Sequence, residues 1–164
     1  MIALASTLTS HMVRKLGLVA SLLILLGSFG GGSLQKRNSL LSAANLDFLS
    51  FGHGAAFSNV TLWLGTVLFV VSWVLMGKLV IDKIVDADYV RRTLCVWLVP
   101  LVGAAPIMSR DVYSYLMQGT LLRDGLNAYT QGPASNPNQI LFEVSHDWRN
   151  TTTPYGPLHL WLGE

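Results

Sequence analysis

Two short stretches carry the residues best suited to chemistry: Ser109-Arg110-Asp111-Val112-Tyr113-Ser114-Tyr115 and, further along, Thr153-Pro154-Tyr155-Gly156-Pro157. In the first, an acidic residue stands where an apolar run stops. A carboxylate held at the edge of a bilayer can serve as a catalytic group, and it can also simply cap a helix. Val112, Tyr115, Leu116, Gly119 and Leu122 recur at helical spacing, which predicts an amphipathic interfacial helix over 112–124 with those residues on its apolar face. Ser109 or Asp111 would cap its first turn, and Gly125 would stop it after Arg123-Asp124.

The stretch from Ser109 to Pro157 concentrates the chain's polar chemistry. It holds Tyr113, Tyr115, Tyr129 and Tyr155, together with Trp148 and the acids Asp111, Asp124, Glu143 and Asp147. Aromatics in such a place are either a membrane-boundary belt or surfaces on which sugar rings stack. The middle of the stretch, Gln131 to Gln139, reads as irregular and turn-rich. Other signals are weak. His53 lies between two glycines with no ligating residue at helical spacing and reads as a loop histidine, and Cys95 lies alone in an apolar run, which excludes an intrachain disulfide and a cysteine metal site. The triplets Asn59-Val60-Thr61 and Asn150-Thr151-Thr152 fit the glycosylation pattern but carry no function here. Walker and dinucleotide glycine patterns, a Ser-His-Asp arrangement and internal repeats are missing.

The elements that must position these residues are apolar. Of 164 residues, 51% are hydrophobic and 12% charged, with a net charge of +2. That composition reads as an all-α integral membrane chain, and the lack of a basic stripe interleaved with aromatics excludes nucleic acid as a partner. Residues 1–12 read as an unstructured start. Spans are expected over about 16–34, 60–81 and 93–108, the third kinked or broken near its far end by Pro100 and Pro106, with an uncleaved first span rather than a secretory signal. A connecting loop is expected over 33–58, a short polar turn over Asp82–Arg92, and a further span starting at 158 and cut off at 164. The division is then a transmembrane region 1–108, an extracytoplasmic loop 109–157 and the start of a fourth span, 158–164. Arg14, Lys15, Lys78, Lys83, Arg91 and Arg92 outnumber Lys36 and Arg37, so the N-terminus is expected in the cytoplasm and the loop 109–157 outside.

Several motifs in combination carry a family resemblance. Asp111-Val112-Tyr113-Ser114-Tyr115-Leu116, Arg123-Asp124-Gly125-Leu126-Asn127-Ala128-Tyr129, Gly132-Pro133-Ala134, Trp148-Arg149 and Thr153-Pro154-Tyr155-Gly156-Pro157-Leu158 resemble the actinobacterial alpha-(1->6)-mannopyranosyltransferases. These are multi-spanning enzymes of the GT-C class. Ala128 departs from the pattern, because the class commonly has proline there, and this would loosen the turn before Tyr129. Family members have many more spans, so the chain resembles their N-terminal portion and is expected to be inactive alone.

The resemblance implies an inverting transfer of mannose from polyprenyl-phosphate mannose to the growing mannan of lipomannan and lipoarabinomannan, with a mannan or phosphatidylinositol mannoside acceptor in the plasma membrane. Asp111 would be the general base, and Arg110, Arg123 and Arg149 are candidates to steady the departing phosphate. The implied substrate-binding set is Arg110, Tyr113, Tyr115, Arg123, Tyr129, Trp148 and Tyr155. No cofactor is implied and no metal is required, although Asp111 with Asp124 or Asp147 could bind one. The competing reading is a non-enzymatic membrane protein, either a transporter or flippase segment or a structural subunit assembled through small residues such as Gly65, Gly77, Gly103, Ala104 and Ala105. Against a transport pathway, the expected spans hold no acid, and their one base, Lys78, lies at the end of the second.

Overall fold

The computed structural model describes residues 2–34 and 39–164, and Lys36 and Arg37, counted in the orientation argument, lie outside them. The described residues are helical, without a strand, and fall into two compact units, 2–34 with 39–107 and 108–164.

In the first unit, α1 (Ile2–Gly31) pairs along its length with α3 (Gly52–Ile81), and α4 (Ala87–Val102) packs on α1. The short α2 (Ser39–Ala43) and a 3-10 turn at Asp47–Ser50 join α1 to α3. Residues Thr9–Gly31 and Gly52–Ile81 are each long and apolar enough to cross a bilayer. α4 has 16 residues, a rise of about 24 Å, short of the ~30 Å hydrocarbon core.

Several boundaries differ from the sequence expectation. Residues 2–12 are helical rather than unstructured, because nothing before Gly17 is glycine or proline and the apolar helix simply extends upstream. α3 begins eight residues before Val60, so His53 lies in a first helical turn and not in a loop. The two glycines flanking it play different parts: Gly52 takes a left-handed φ of +57° at the helix start, and a Cβ on Gly54 would collide with the Phe48 carbonyl. α4 begins at Ala87 within the expected polar turn, because the Asp86 side chain accepts the Tyr89 N–H at 2.7 Å and caps it. It ends at Val102, where the Gly103 and Ala104 N–H groups reach the Pro100 and Leu101 carbonyls at 3.1 Å, so Pro106 lies beyond the helix rather than inside a kink.

Small residues line the α1–α3 seam. Ala20, Ser21 and Ser28 from α1 and Ser58, Gly65 and Ser72 from α3 are buried. Ser21 and Ser72 return their hydroxyls to their own helices, on the Gly17 and Leu68 carbonyls at 2.8 and 2.7 Å. Where lipid tails compete equally for apolar side chains, such backbone proximity is what joins helices. At one end of the seam Trp97 is fully buried over Gly17, donates its indole N–H to the Arg14 carbonyl at 2.9 Å, and meets Phe69 edge-on with centroids 5.5 Å apart. The outward residues of α3, among them Trp63, Val67, Val70, Trp73 and Val74, are exposed.

In the second unit, α5 (Asp111–Arg123) packs against α6 (Pro157–Gly163) and against the 3-10 turn Gln139–Glu143. Further 3-10 turns occupy Pro133–Ser135, inside the stretch read as irregular, and His146–Trp148. α5 ends as expected at Gly125, whose φ of +78° allows the Leu126 and Gly125 N–H groups to close on the Leu121 and Leu122 carbonyls at 2.8 and 3.0 Å. Its apolar face is not the expected one. Tyr113, Met117 and Leu121 form the core side, against Ile140, Leu141 and Val144 and against Ala128 and Leu160, while Leu116 is exposed. Both phases fit a helical period, and Tyr115 belongs to the polar side through its partners on α6.

A Cβ on Gly65 would lie 2.8 Å from the Ile24 nitrogen and 3.0 Å from the Ala20 carbonyl oxygen, whereas nothing lies within 4 Å at Gly77. Gly65→Val is therefore expected to destabilise the α1–α3 pair by about 1–3 kcal/mol. Gly77→Val should leave it intact, as thermal unfolding of the two variants in detergent will show.

Candidate functional site

α5 presents Asp111, Ser114, Tyr115 and Gln118 at spacing i, i+3, i+4 and i+7, which places them on one face. Asp111 is the first helical residue rather than the cap. Ser109 Oγ accepts its N–H at a long 3.3 Å, and Arg110 stands at the N-cap with no side-chain capping bond. The Asp111 carboxylate has no hydrogen-bond or ion-pair partner among the described residues. The Asp111 carboxylate therefore does not cap the helix, and it is left at the end of the stripe.

Arg110 is engaged on the other side. Its guanidinium pairs through Nη2 with the Glu143 carboxylate, donates its Nε–H to the Glu143 carbonyl at 2.8 Å, and lies over the Tyr113 ring with Cζ 5.4 Å from the centroid. The Glu143 side chain is only 8% exposed. Glu143 went unassigned in the sequence because an isolated acid in a turn-rich stretch gives no signal of its partner.

Lower on the stripe, Tyr115, Tyr155 and His159 form an aromatic cluster. Tyr115 meets Tyr155 edge-on at 5.5 Å and His159 edge-on at 5.0 Å, and Tyr155 and His159 are 4.7 Å apart. The Tyr115 and Tyr155 hydroxyls are 3.4 Å apart, and His159 Nε2 is 3.1 Å from Gln118 Oε1. The hydrogen bond to Tyr155, aided by desolvation and by the negative charge of Asp111, pushes the Tyr115 phenol up to about 12. His159 and Gln118 were missed by sequence reasoning. The available signal was Gln118 at two helical turns from Asp111.

Behind this face the two helices touch through backbone. A Cβ on Gly119 would collide with the Gly163 carbonyl, so glycine is required where α5 crosses α6.

The other candidates lie apart. Arg123 pairs with Asp124 at 2.9 Å on the surface, and Asp124 also accepts from Asn136 Nδ2 at 2.7 Å. Those two contacts hold the Asp124 carboxyl below its usual range, with the Arg123 contribution first. Arg149 donates its Nε–H to the Val144 carbonyl at 3.2 Å. Tyr129 lines an apolar cavity of about 250 Å³ with Leu122, Leu126, Ala128 and Leu160, and Trp148 is half exposed. Asp111, Asp124 and Asp147 do not gather into a metal-ligating group of three among the described residues. Ala128 is buried. Its carbonyl accepts the Thr153 N–H at 2.9 Å, and Asn127 Oδ1 accepts the Tyr129 N–H at 2.9 Å, so the turn expected to be loosened by the missing proline is held by hydrogen bonds.

A family model described as alpha-(1->6)-mannopyranosyltransferase, N-terminal domain, matches residues 14–164. The chain belongs to this family. It is 55% identical over 150 residues to alpha-(1->6)-mannopyranosyltransferase A of Corynebacterium glutamicum, covering 87% of this chain and 31% of that protein. It is 42% identical over 143 residues to alpha-(1->6)-mannopyranosyltransferase A of Mycobacterium tuberculosis, covering 87% of this chain and 28% of that protein. The chain thus spans about a third of the length of the mannopyranosyltransferases it matches. No solved structure matches it.

With the Tyr115 phenol raised, folding holds its proton, so the stabilisation is complete below about 10.0 and is lost as pH rises toward about 12. Tyr155→Phe removes the leading cause. Tyrosinate absorbance, compared with a Tyr115→Phe background to isolate the one ring, is expected to show the Tyr115 titration moving back toward 10.0.

Proposed function

We propose that the chain is the N-terminal part of a membrane mannosyltransferase of the GT-C class. It would move mannose from polyprenyl-phosphate mannose to a growing alpha-(1->6)-mannan of lipomannan or lipoarabinomannan, with Asp111 as general base. The observation that carries this reading is the Asp111 carboxylate, unpartnered among the described residues at the start of a packed helix, in a chain of the mannopyranosyltransferase family.

In the proposed step Asp111 accepts the proton of the acceptor hydroxyl as that oxygen attacks the anomeric carbon. The bond to the lipid phosphate breaks on the opposite face, and the beta-linked donor gives an alpha-linked product in a single inverting displacement. The phosphate that leaves carries the developing negative charge and requires a cation. Arg149 is the better placed of the three arginines named for that role, since Arg110 is paired with Glu143 and Arg123 with Asp124. Tyr155, with Tyr115 and His159 packed against it, offers an exposed ring edge for the sugar, and the exposed Trp148 and Tyr129 offer further surfaces.

α1 and α3, the two helices long and apolar enough to cross, support a membrane setting, and in this reading α4 would be a shorter third crossing of a multi-pass plasma-membrane protein. Arg14 and Lys15 near the start of the first apolar helix, and Lys78, Lys83, Arg91 and Arg92 around the connection of α3 to α4, favour a cytoplasmic N-terminus, which would leave residues 109–157 outside. A lipid-linked sugar suits that side, because it carries its activation energy across the bilayer where nucleotide sugars do not reach.

In the full-length protein, Asp111→Asn is expected to lower mannose transfer from polyprenyl-phosphate mannose by about 10²–10⁴-fold, the range for loss of a general base, while membrane insertion is unchanged. A radiolabelled transfer assay on isolated membranes reads this directly. Unimpaired transfer by the variant would remove Asp111 from the reaction.

A further inference from the structure

We propose that Glu143 is a positioning residue for Asp111, acting through Arg110, and that Arg110 serves this clamp rather than the lipid phosphate. The inference rests on the reading of Asp111 as the base.

Asp111 has nothing of its own to fix it. Its carboxylate is unpartnered among the described residues, so its place is set by the backbone at the start of α5 and by its rotamer. The residue before it is Arg110, and that residue is anchored twice to one partner. The guanidinium Nη2 pairs with the Glu143 carboxylate, and the Nε–H reaches the Glu143 backbone carbonyl at 2.8 Å. A guanidinium that bonds both the side chain and the main chain of one residue fixes orientation as well as distance, which a point charge does not. The Tyr113 ring beneath it supplies a third contact.

The clamp is built to persist. The Arg110 and Glu143 side chains are 28% and 8% exposed, so water competes little for the pair. The same two elements are joined again through the apolar contacts of Tyr113 and Met117 with Ile140, Leu141 and Val144. The start of α5 and the turn Gln139–Glu143 therefore move as one piece, and Asp111 moves with them. A phosphate ligand would need the opposite arrangement, an arginine fork turned toward the donor. Here Nε and Nη2 are both directed at Glu143.

A base must meet its hydroxyl in a narrow range of geometry, and small misplacements are costly to the chemical step while leaving substrate binding intact. The test is a double-mutant cycle in the full-length protein, with kcat and the donor KM measured for Glu143→Gln, Arg110→Gln and the pair together. Each single variant is expected to lower kcat about 10- to 100-fold without raising the donor KM. The double variant should be no worse than either single, because one clamp is lost only once. Glu143→Asp, which keeps the charge, should recover part of the loss, and if Glu143→Gln fails to accumulate in membranes the kcat and donor KM of Arg110→Gln decide alone. Wild-type kcat in Glu143→Gln, additive losses, or a raised donor KM in Arg110→Gln would each overturn the inference, the last by returning Arg110 to the phosphate. Asp111→Asn assayed alongside separates the two levels. An inactive Asp111→Asn with a fully active Glu143→Gln defeats the clamp alone, and an active Asp111→Asn defeats the base and the clamp together.

Discussion

The crossing of α5 and α6 leaves no room for a methyl group between Gly119 and Gly163, and the arrangement of the second unit depends on that contact. Because the two backbones meet there, the side chains beside the crossing and one turn toward the start of α5 must lie alongside α6 and the residues just before it. Gln118 and Tyr115 are thereby brought to His159 and Tyr155, and the polar stripe that begins at Asp111 gains a wall. A larger residue at the crossing would push α6 outward and separate the rings. The opposite face of α5 is occupied by the Gln139–Glu143 turn, so the helix is held from both sides and its first residue is presented at a defined place.

The first unit uses the same device on a longer scale. Glycine, alanine and serine at the α1–α3 seam allow close approach, and Leu62, Met76 and Leu79 are buried with them, while the other bulky residues of α3, Trp63, Val67, Val70, Trp73 and Val74 among them, are exposed. An outward face that is apolar reverses the layout of a water-soluble helical pair, where polar residues would face outward. Ser21 and Ser72 satisfy their hydroxyls on carbonyls of their own helix, so those polar atoms need no partner from the other side. Ser58 instead donates to the Leu49 carbonyl at 3.2 Å, and the Ser28 Oγ, which donates to the Leu25 carbonyl, also accepts the Ala105 N–H at 2.9 Å, tying the segment after α4 back to α1.

Much of this was legible in the sequence. Helicity, the existence of the two long apolar helices, the stop at Gly125 and the family followed from hydropathy, glycine placement and motif spacing. Helix starts were less legible, since Gly52 and Gly54 read as breakers when considered alone and the Asp86 cap lay in a run of charges that resembled a turn. The phase of α5 was not legible, because Val112-Leu116-Gly119 and Tyr113-Met117-Leu121 both satisfy a helical period and only the partners decide between them. The same limit hid Glu143 and His159. Each acquires its meaning from a residue more than thirty positions away, Arg110 in one case and Gln118 in the other, and nothing local marks such pairs.

The turn around Ala128 is held by its main chain. Position 128 is recognised through its carbonyl oxygen, which receives the Thr153 N–H, and the Ala134 N–H reaches the Arg149 carbonyl at 2.7 Å in a second rung of the same kind. Every amino acid carries a carbonyl, so a substitution at 128 leaves the rung standing, and the two rungs tie the segment leading to Tyr155 to the rest of the loop through main-chain bonds that no side chain supplies.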